Sequence, residues 1–412
     1  MKRLGSIGDV VRWRLCVGCG ACAAHSGGLL RMEDDPARGC LPAWCGPRDD
    51  AVLRETLKVC PAAGTRLGAM EDPMNGSGSG IGPVIEVWEG HATDADTRFF
   101  GSSGGVLTAL ARYALERGGA HGVLHAGADP RNVLGNRTVM SRSHGELLAN
   151  TGSRYSPASV CEGLWRIEEA PGPCVFIGQP SEVAALRKMQ ALRPALRRNL
   201  AVALSFFCAG SPALRATMEL LKSRGIDPAD VVRLRYRGRG WPGSFAVWLD
   251  DGSAPAMEMS YAESWGFLQS WRPWAVHVWP DGCGEHADVA CGDPWCRDAC
   301  EVGRGSSLLV VRTDAGRELV RGAVDAGYLE LVPSSVERVV ASQAGLIRKK
   351  GAVWGRLATM RLCGLPVPRH RGYGLFKLWL RLPLLEKLRS TAGTLRRMLA
   401  RRHLAPAECR LS

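Results

Sequence analysis

No run of about 18 apolar residues occurs in the 412-residue chain, which excludes a spanning helix. The opening residues Met1-Lys2-Arg3-Leu4-Gly5 lack the apolar core of a signal peptide, so a cytoplasmic protein is expected. In that compartment the 15 cysteines would be reduced thiols or metal ligands rather than disulfides. No His/Ser/Asp nucleophile arrangement stands out, so hydrolase chemistry has no support. Acidic residues are scarce at one end only. Between Gly345 and Ser412 stand 16 Lys/Arg but two acids, Glu386 and Glu408. That segment carries +14, and the rest of the chain is nearly neutral at −1. The basic pI therefore describes a tail, which suits an anionic lipid surface or an acidic partner. No specific nucleic acid is expected.

What is present begins with Cys16-Val-Gly-Cys19-Gly-Ala-Cys22. Three cysteines at this spacing suit iron–sulfur ligation, and Gly18 and Gly20 keep the loop open so that its amides can face the sulfurs. The fourth cysteine of a two-cluster ferredoxin is absent; Ser26-Gly27 holds its place. A later Cys60-Pro61 supplies the remote ligand. The expectation is one [4Fe–4S] cluster held by Cys16, Cys19, Cys22 and Cys60, against a zinc site or loose thiols. Cys40 and Cys45 lie between without the repeat spacing.

Met74 to Pro83 is a Gly/Ser linker by composition. It divides a ferredoxin-like cysteine domain (1–73) from the main domain (84–340), and a basic, partly amphipathic tail (341–412) follows. In the main domain Phe99-Phe-Gly-Ser-Ser-Gly-Gly105 precedes an apolar pattern at helical spacing from Val106. Serine oxygens are expected to cap that helix, and glycines to let a ligand such as a cofactor pyrophosphate approach it. An ordinary capped helix is the plainer alternative.

Strands are expected at Val84–Val87, Gly122–Ala126, Cys174–Gly178, Leu200–Phe207 and Ser306–Arg312. Helices are expected at Glu182–Leu192, Pro212–Ser223 and Asp314–Ala326. The strand–loop–helix order implies an α/β core with a mostly parallel sheet and sites at the strands' C-terminal ends. An antiparallel part follows, with strands at Val231–Tyr236, Ser244–Leu249 and Ala256–Met259. Its loop Tyr236-Arg-Gly-Arg-Gly-Trp-Pro-Gly243 joins two cations to a Trp, which suits an anionic planar ligand or a solvated turn.

Together these motifs resemble the coenzyme F420 hydrogenase/dehydrogenase beta-subunit family, which includes 7-hydroxymethyl chlorophyll a reductase. The resemblance is carried by the Cys16 triplet, Ser102-Ser-Gly-Gly105, Gly152-Ser-Arg-Tyr155, Phe176-Ile-Gly-Gln-Pro-Ser-Glu-Val-Ala-Ala-Leu186 and Phe207-Cys-Ala-Gly210. Tyr236–Gly243 and Ala287-Asp-Val-x-x-Gly-Asp293 complete it. It implies FAD, bound by Ser102, Ser103, Gly104, Gly105, Gly152, Ser153, Arg154, Tyr155, Gly178, Pro180 and Ser181. Arg154 is the cation expected to stabilise reduced flavin. The implied activity passes electrons between a [4Fe–4S] cluster, FAD and a hydride carrier, coenzyme F420 or another small substrate. The alternatives are a non-catalytic electron-transfer subunit docked on a partner, and a degenerate scaffold. A redox partner protein is implied, ferredoxin-like or a larger enzyme subunit.

The sequence departs from the family at three of four cysteine positions. Ser181 stands where the family usually has Cys. The frame Val276-His-Val-Trp279 replaces a Cys-x-x-Cys, so of those four cysteines only Cys208 remains. Cys283, Cys291, Cys296 and Cys300 crowd one segment at no recognisable ligand spacing, as spectator thiols or a variant metal site. In the tail, Tyr373–Leu388 mixes Leu, Phe and Trp with spaced cations. It suits a helix on an anionic membrane surface, peripheral to its inner face and broken at Pro383, or a helix packed on the body.

Overall fold

The computed structural model describes residues 2–68, 79–296, 303–401 and 403–411. Its centre is an eight-stranded sheet in the order β13-β3-β12-β11-β7-β6-β4-β5. The strands are β3 (Glu86–Ala92), β4 (Gly122–Asp129), β5 (Asn132–Ser141), β6 (Cys174–Gly178), β7 (Leu200–Phe206), β11 (Val289–Gly292), β12 (Ser307–Val311) and β13 (Leu329–Pro333). β4, β6, β7 and β11 form the parallel centre. β5 on one side and β12, β3 and β13 on the other add antiparallel pairings. β6 is an apolar run because helices cover both its faces. Cys174 and Phe176 pack towards the helix Pro180–Leu192. Val175 and Ile177 pack towards the helices Val106–Glu116 and Asp314–Asp325.

β8 (Arg233–Arg235), β9 (Ser244–Trp248) and β10 (Met257–Ser260) form the separate antiparallel sheet. The cysteine segment contributes a hairpin, β1 (Leu30–Asp35) with β2 (Gly39–Trp44), and short helices.

The cysteine segment and the tail share one core. Ile7, Val10, Leu30 and Leu53 pack in a cluster with Trp274, Met360, Met398 and Leu411. Of the expected linker, residues 74–78 lie outside the described residues. Residues 79–83 are held tightly: Ile81 is buried, Lys350 donates to the Gly80 carbonyl at 3.1 Å, and Arg312 donates to the Pro83 carbonyl. Lys350 also pairs with the buried Glu285 at 2.5 Å. The tail is thus anchored by helix Ala344–Leu362, followed by Leu375–Leu380 and Leu384–Ala400. Pro383 stands between the last two and starts the second, since a proline before the first turn loses no helical hydrogen bond.

Candidate functional site

Cys16, Cys19, Cys22 and Cys60 line one cavity, together with Gly20, Met32 and Ala62. Gly20 is held at φ +85°, and a Cβ there would meet the Glu162 amide nitrogen at 2.7 Å and the Ser159 carbonyl at 2.9 Å. The loop therefore needs glycine to lie this close to the main domain. Ser159 Oγ donates to the Gly18 carbonyl at 2.7 Å, and the Cys161 amide to the Cys19 carbonyl at 3.0 Å.

Backbone amides reach each sulfur: Gly18 for Cys16, Ala21 for Cys19, Ala23 for Cys22, and Ala62 with Ala63 for Cys60. Burial, and secondarily their mutual proximity, push the thiols up, Cys16 to about 12. For Cys60 burial again dominates, opposed by Lys188. Lys188 Nζ donates to the carbonyls of Cys60 (2.6 Å) and Gly64 (3.0 Å). This lysine, which nothing in the local sequence singles out, brings helix Pro180–Leu192 to the thiols. Among the described residues no three His, Cys, Asp or Glu side chains stand at the spacing of one metal ion. Four sulfurs around a cavity, three in buried residues and Cys16 half-buried, each approached by amides, are a donor set that fits an iron–sulfur cluster better than a single zinc.

The second group of residues lies at the C-terminal ends of the parallel strands. Ser102–Gly105 enters the helix Val106–Glu116, but the serines do not cap it. Gly105, left-handed at φ +72°, occupies the cap position without a side-chain hydrogen bond. Ser103 Oγ donates to the Ser306 carbonyl, and Ser102 Oγ accepts from the Ser153 amide. The capping expectation is thereby corrected: the serines tie the turn to β12 and to the Gly152–Tyr155 turn. Gly104 fits between β3 and β12, where a Cβ would lie 2.7 Å from the Gly90 carbonyl oxygen.

The Gly152 turn and the Tyr236–Gly243 loop converge on this place. The Gly240 amide donates to the Phe99 carbonyl at 2.9 Å. The loop's two arginines separate. Arg237 is buried and forks onto Asp293 (2.6 and 2.9 Å), and its Nε donates to Pro242 at 2.7 Å. Trp241 donates to Asp293 as well, at 2.9 Å. Burial opposes the charge on Arg237, but Asp293 and Tyr155 hold its pKa raised. The guanidinium stacks 4.4 Å from the centre of Tyr261, which itself stacks on Trp295 at 5.2 Å. Arg239 is exposed and lies over Phe100.

Arg154 sits apart from this convergence. Its guanidinium donates to Asn136 Oδ1, to the carbonyls of Gly135 (2.9 Å) and Val133 (3.3 Å), and lies over Tyr236. These groups fasten the Gly152–Tyr155 turn to β5. Their chain separation of about twenty residues hides the pairing from a local reading.

Pro180 and Ser181 open onto a different cavity, and Gly178, at the buried end of β6, does not line it. Ser181, Cys208, Val276 and Trp279 all line it, with Cys16, Gly18 and Cys40 on another wall. Cys208 Sγ accepts from the Gly210 amide at 3.2 Å and faces Gln179. On the wall formed by Ser181, Cys208, Val276 and Trp279, Cys208 is the one thiol, and a hydroxyl, a valine and an indole offer an iron–sulfur cluster no thiolate. Cys283 and Cys291 are buried in different clusters, and Cys296 bonds Ser342 at the surface; Cys300 lies outside the described residues. The segment's described thiols therefore do not converge.

Glu182 in the same helix carries a pH signature. It is buried, and its carboxylate accepts from Val160 (3.0 Å) and Gln179 (2.8 Å). Burial pushes its pKa up from 4.5 to about 7. Between those values the folded state holds the extra proton, so this group's stabilisation is full below the lower value and is lost as pH rises through the upper. Stability should fall across that window by on the order of 3 kcal/mol from this carboxyl. Glu182→Gln should flatten the slope, as urea unfolding at several pH values will read. An unchanged profile would assign the slope to other groups.

A mixed α/β sheet with its motif loops at the strand ends is a fold that this chain shares with a subunit of a known oxidoreductase complex. The chain belongs to the coenzyme F420 hydrogenase/dehydrogenase beta-subunit family: the family's N-terminal part matches residues 87–164 and its C-terminal part residues 173–337. It is 25% identical over 252 residues to the F420-dependent formate dehydrogenase 1 subunit beta of Methanococcus maripaludis, covering 60% of this chain and 61% of that one. It is 24% identical over 306 residues to the coenzyme F420 hydrogenase subunit beta of Methanothermobacter thermautotrophicus, covering 70% of this chain and 99% of that one. A chain of the F420-reducing [NiFe] hydrogenase complex from Methanosarcina barkeri shares the fold, with a TM-score of 0.55 and 19% identity over 73% of this chain and 99% of that one. The formate dehydrogenase subunit is thus matched over less than two thirds of its length. Among the described residues no helix is long and apolar enough to cross a membrane.

Proposed function

We propose that the chain is a redox subunit that holds one [4Fe–4S] cluster at Cys16, Cys19, Cys22 and Cys60 and FAD where Ser102–Gly105, Gly152–Tyr155 and the Tyr236–Gly243 loop converge. The observation that carries this reading is the gathering of the four thiols, with their amides, around one cavity. When bound, the cluster supplies single-electron transfer and the flavin supplies hydride exchange. The chain's own groups do the positioning. Lys188 places a positive charge beside Cys60 and Cys19. The helix Val106–Glu116, uncapped by side chains, points amides where a pyrophosphate would lie. Arg237, fixed by Asp293, braces the aromatic wall of Tyr261 and Trp295 that would face a planar ring. Arg154 keeps the Gly152–Tyr155 turn in place from behind.

The relatives' names support coenzyme F420 as the hydride carrier and a larger enzyme subunit as the partner. The cavity around Cys208 supports a path that does not depend on a second cluster. Cys16 lines both cavities, so the quartet borders the place where that cluster would sit.

Anaerobic purification with iron, sulfide and flavin quantified tests the reading. About four irons per chain and one FAD are expected. About eight irons would overturn the single-cluster assignment, and a colourless folded protein would leave the scaffold reading standing. Reduction of coenzyme F420 by the purified chain, with and without an artificial electron donor, separates an enzyme from a subunit that needs its partner.

A further inference from the structure

The last long helix, Leu384–Ala400, packs the wrong way round for a body helix. The side chains it buries are Ser390, Thr394 and Met398. Ser390 Oγ accepts from Trp379 Nε1 at 3.0 Å, and Thr394 Oγ1 donates to the Ser390 carbonyl at 2.8 Å. Its leucines face outwards: Leu384 is 72% exposed, Leu388 54%, Leu395 41% and Leu399 57%. Spaced i, i+4, i+11 and i+15, they form one stripe about 22 Å long on the solvent side. Exposed Leu385, Leu380 and Phe376 widen it at its start. Burying leucine rather than serine is the ordinary preference of a helix against a body, so this stripe is built to meet something else.

Cations surround it. Lys377, Arg381, Arg389, Arg396 and Arg401 are all exposed along this segment. The one acid between Leu375 and Arg401 is Glu386, and it pairs with Arg389 at 2.8 Å. The matching surface is negatively charged around the stripe and apolar beneath it. An anionic bilayer leaflet offers that arrangement: leucines enter the boundary between headgroups and acyl chains while arginines stay among the phosphates. Because the helix is already held to Ala344–Leu362, it is displayed as a folded ridge with no ordering entropy left to lose on binding.

We propose that the Leu384–Ala400 face docks the protein flat on an anionic membrane surface. Flotation of the full chain with phosphatidylcholine vesicles, with and without phosphatidylglycerol, tests this. Co-flotation is expected only with phosphatidylglycerol, and weaker at high salt. The pair Leu388→Asp and Leu395→Asp alters exposed side chains only, so its melting temperature should match the wild type. It should weaken vesicle binding by at least roughly tenfold. No co-flotation at low salt, or equal binding by the variant, overturns the proposal. So does a vesicle-free wild-type dimer that the same pair dissociates, which would make the stripe an interface between copies.

Discussion

Cys60→Ala should abolish the iron and acid-labile sulfide of the protein, with the broad visible absorbance that accompanies them. Cys60 is the only quartet member remote in sequence, and its sulfur faces the same cavity as the triplet. Three thiolates leave one corner of a four-iron cluster to water, which makes the cluster labile during purification. Cys45→Ala is the matched control: Cys45 is exposed, bonds the Gly28 carbonyl and lies outside the cavity, so iron should be unchanged. Full iron in Cys60→Ala would remove the remote-ligand assignment. Flavin retained by the iron-free variant is expected as well, because the proposed flavin residues Ser102–Gly105 and Gly152–Tyr155 lie at the strand ends of the main sheet and not on the cysteine loop.

Arg237→Ala should destabilise the fold by about 3–5 kcal/mol, the usual result of leaving a buried charge without its partner. The pair is well enclosed, with 3% of the Arg237 side chain and 16% of the Asp293 side chain exposed. Asp293 would keep one donor, Trp241, and lose the fork. Arg237→Lys should recover only part, since an ammonium cannot bond both carboxylate oxygens and Pro242 in that geometry. Combining Arg237→Ala with Asp293→Asn should recover more than Arg237→Lys, because it removes the unpaired charge itself. Urea unfolding of the four proteins decides it. A loss under roughly 1 kcal/mol for Arg237→Ala would mean that the pair behaves as a surface ion pair.

Much of the sheet could be read from local pattern. Cys174–Gly178 is a strand at the bounds its apolar run suggests, because a strand buried on both faces has nothing but apolar residues to show. The following helix begins at Pro180 rather than Glu182, since proline fits the first turn and Glu182 closes a capping box with Gln179. β5 escaped a local reading. Asn132–Ser141 breaks its apolar residues with two Asn, a Gly and an Arg, and is a strand because β4 pairs with it along most of its length. β13, at the far edge, is equally dependent on β3.

The amino-acid order alone determined the cysteine spacing, the helix at Val106, the parallel centre and the family. These rest on residues within a turn or a strand of one another, where spacing is geometry. Only the tertiary structure decided which cation faces which group. Arg237 and Arg239 are two residues apart, yet one is locked onto Asp293, 56 residues away, and the other is exposed. Only the fold gathers Ser181, Cys208, Val276 and Trp279, scattered over about a hundred residues of chain, onto one cavity. The tail shows the same dependence. Its leucines and serines define two faces of a helix, but which face is buried depends on what Trp379 and the helix Ala344–Leu362 offer across the contact, and there the serine found its hydrogen bond. Charge pairing and packing act through space, so their outcome is decided by the partners that folding brings together.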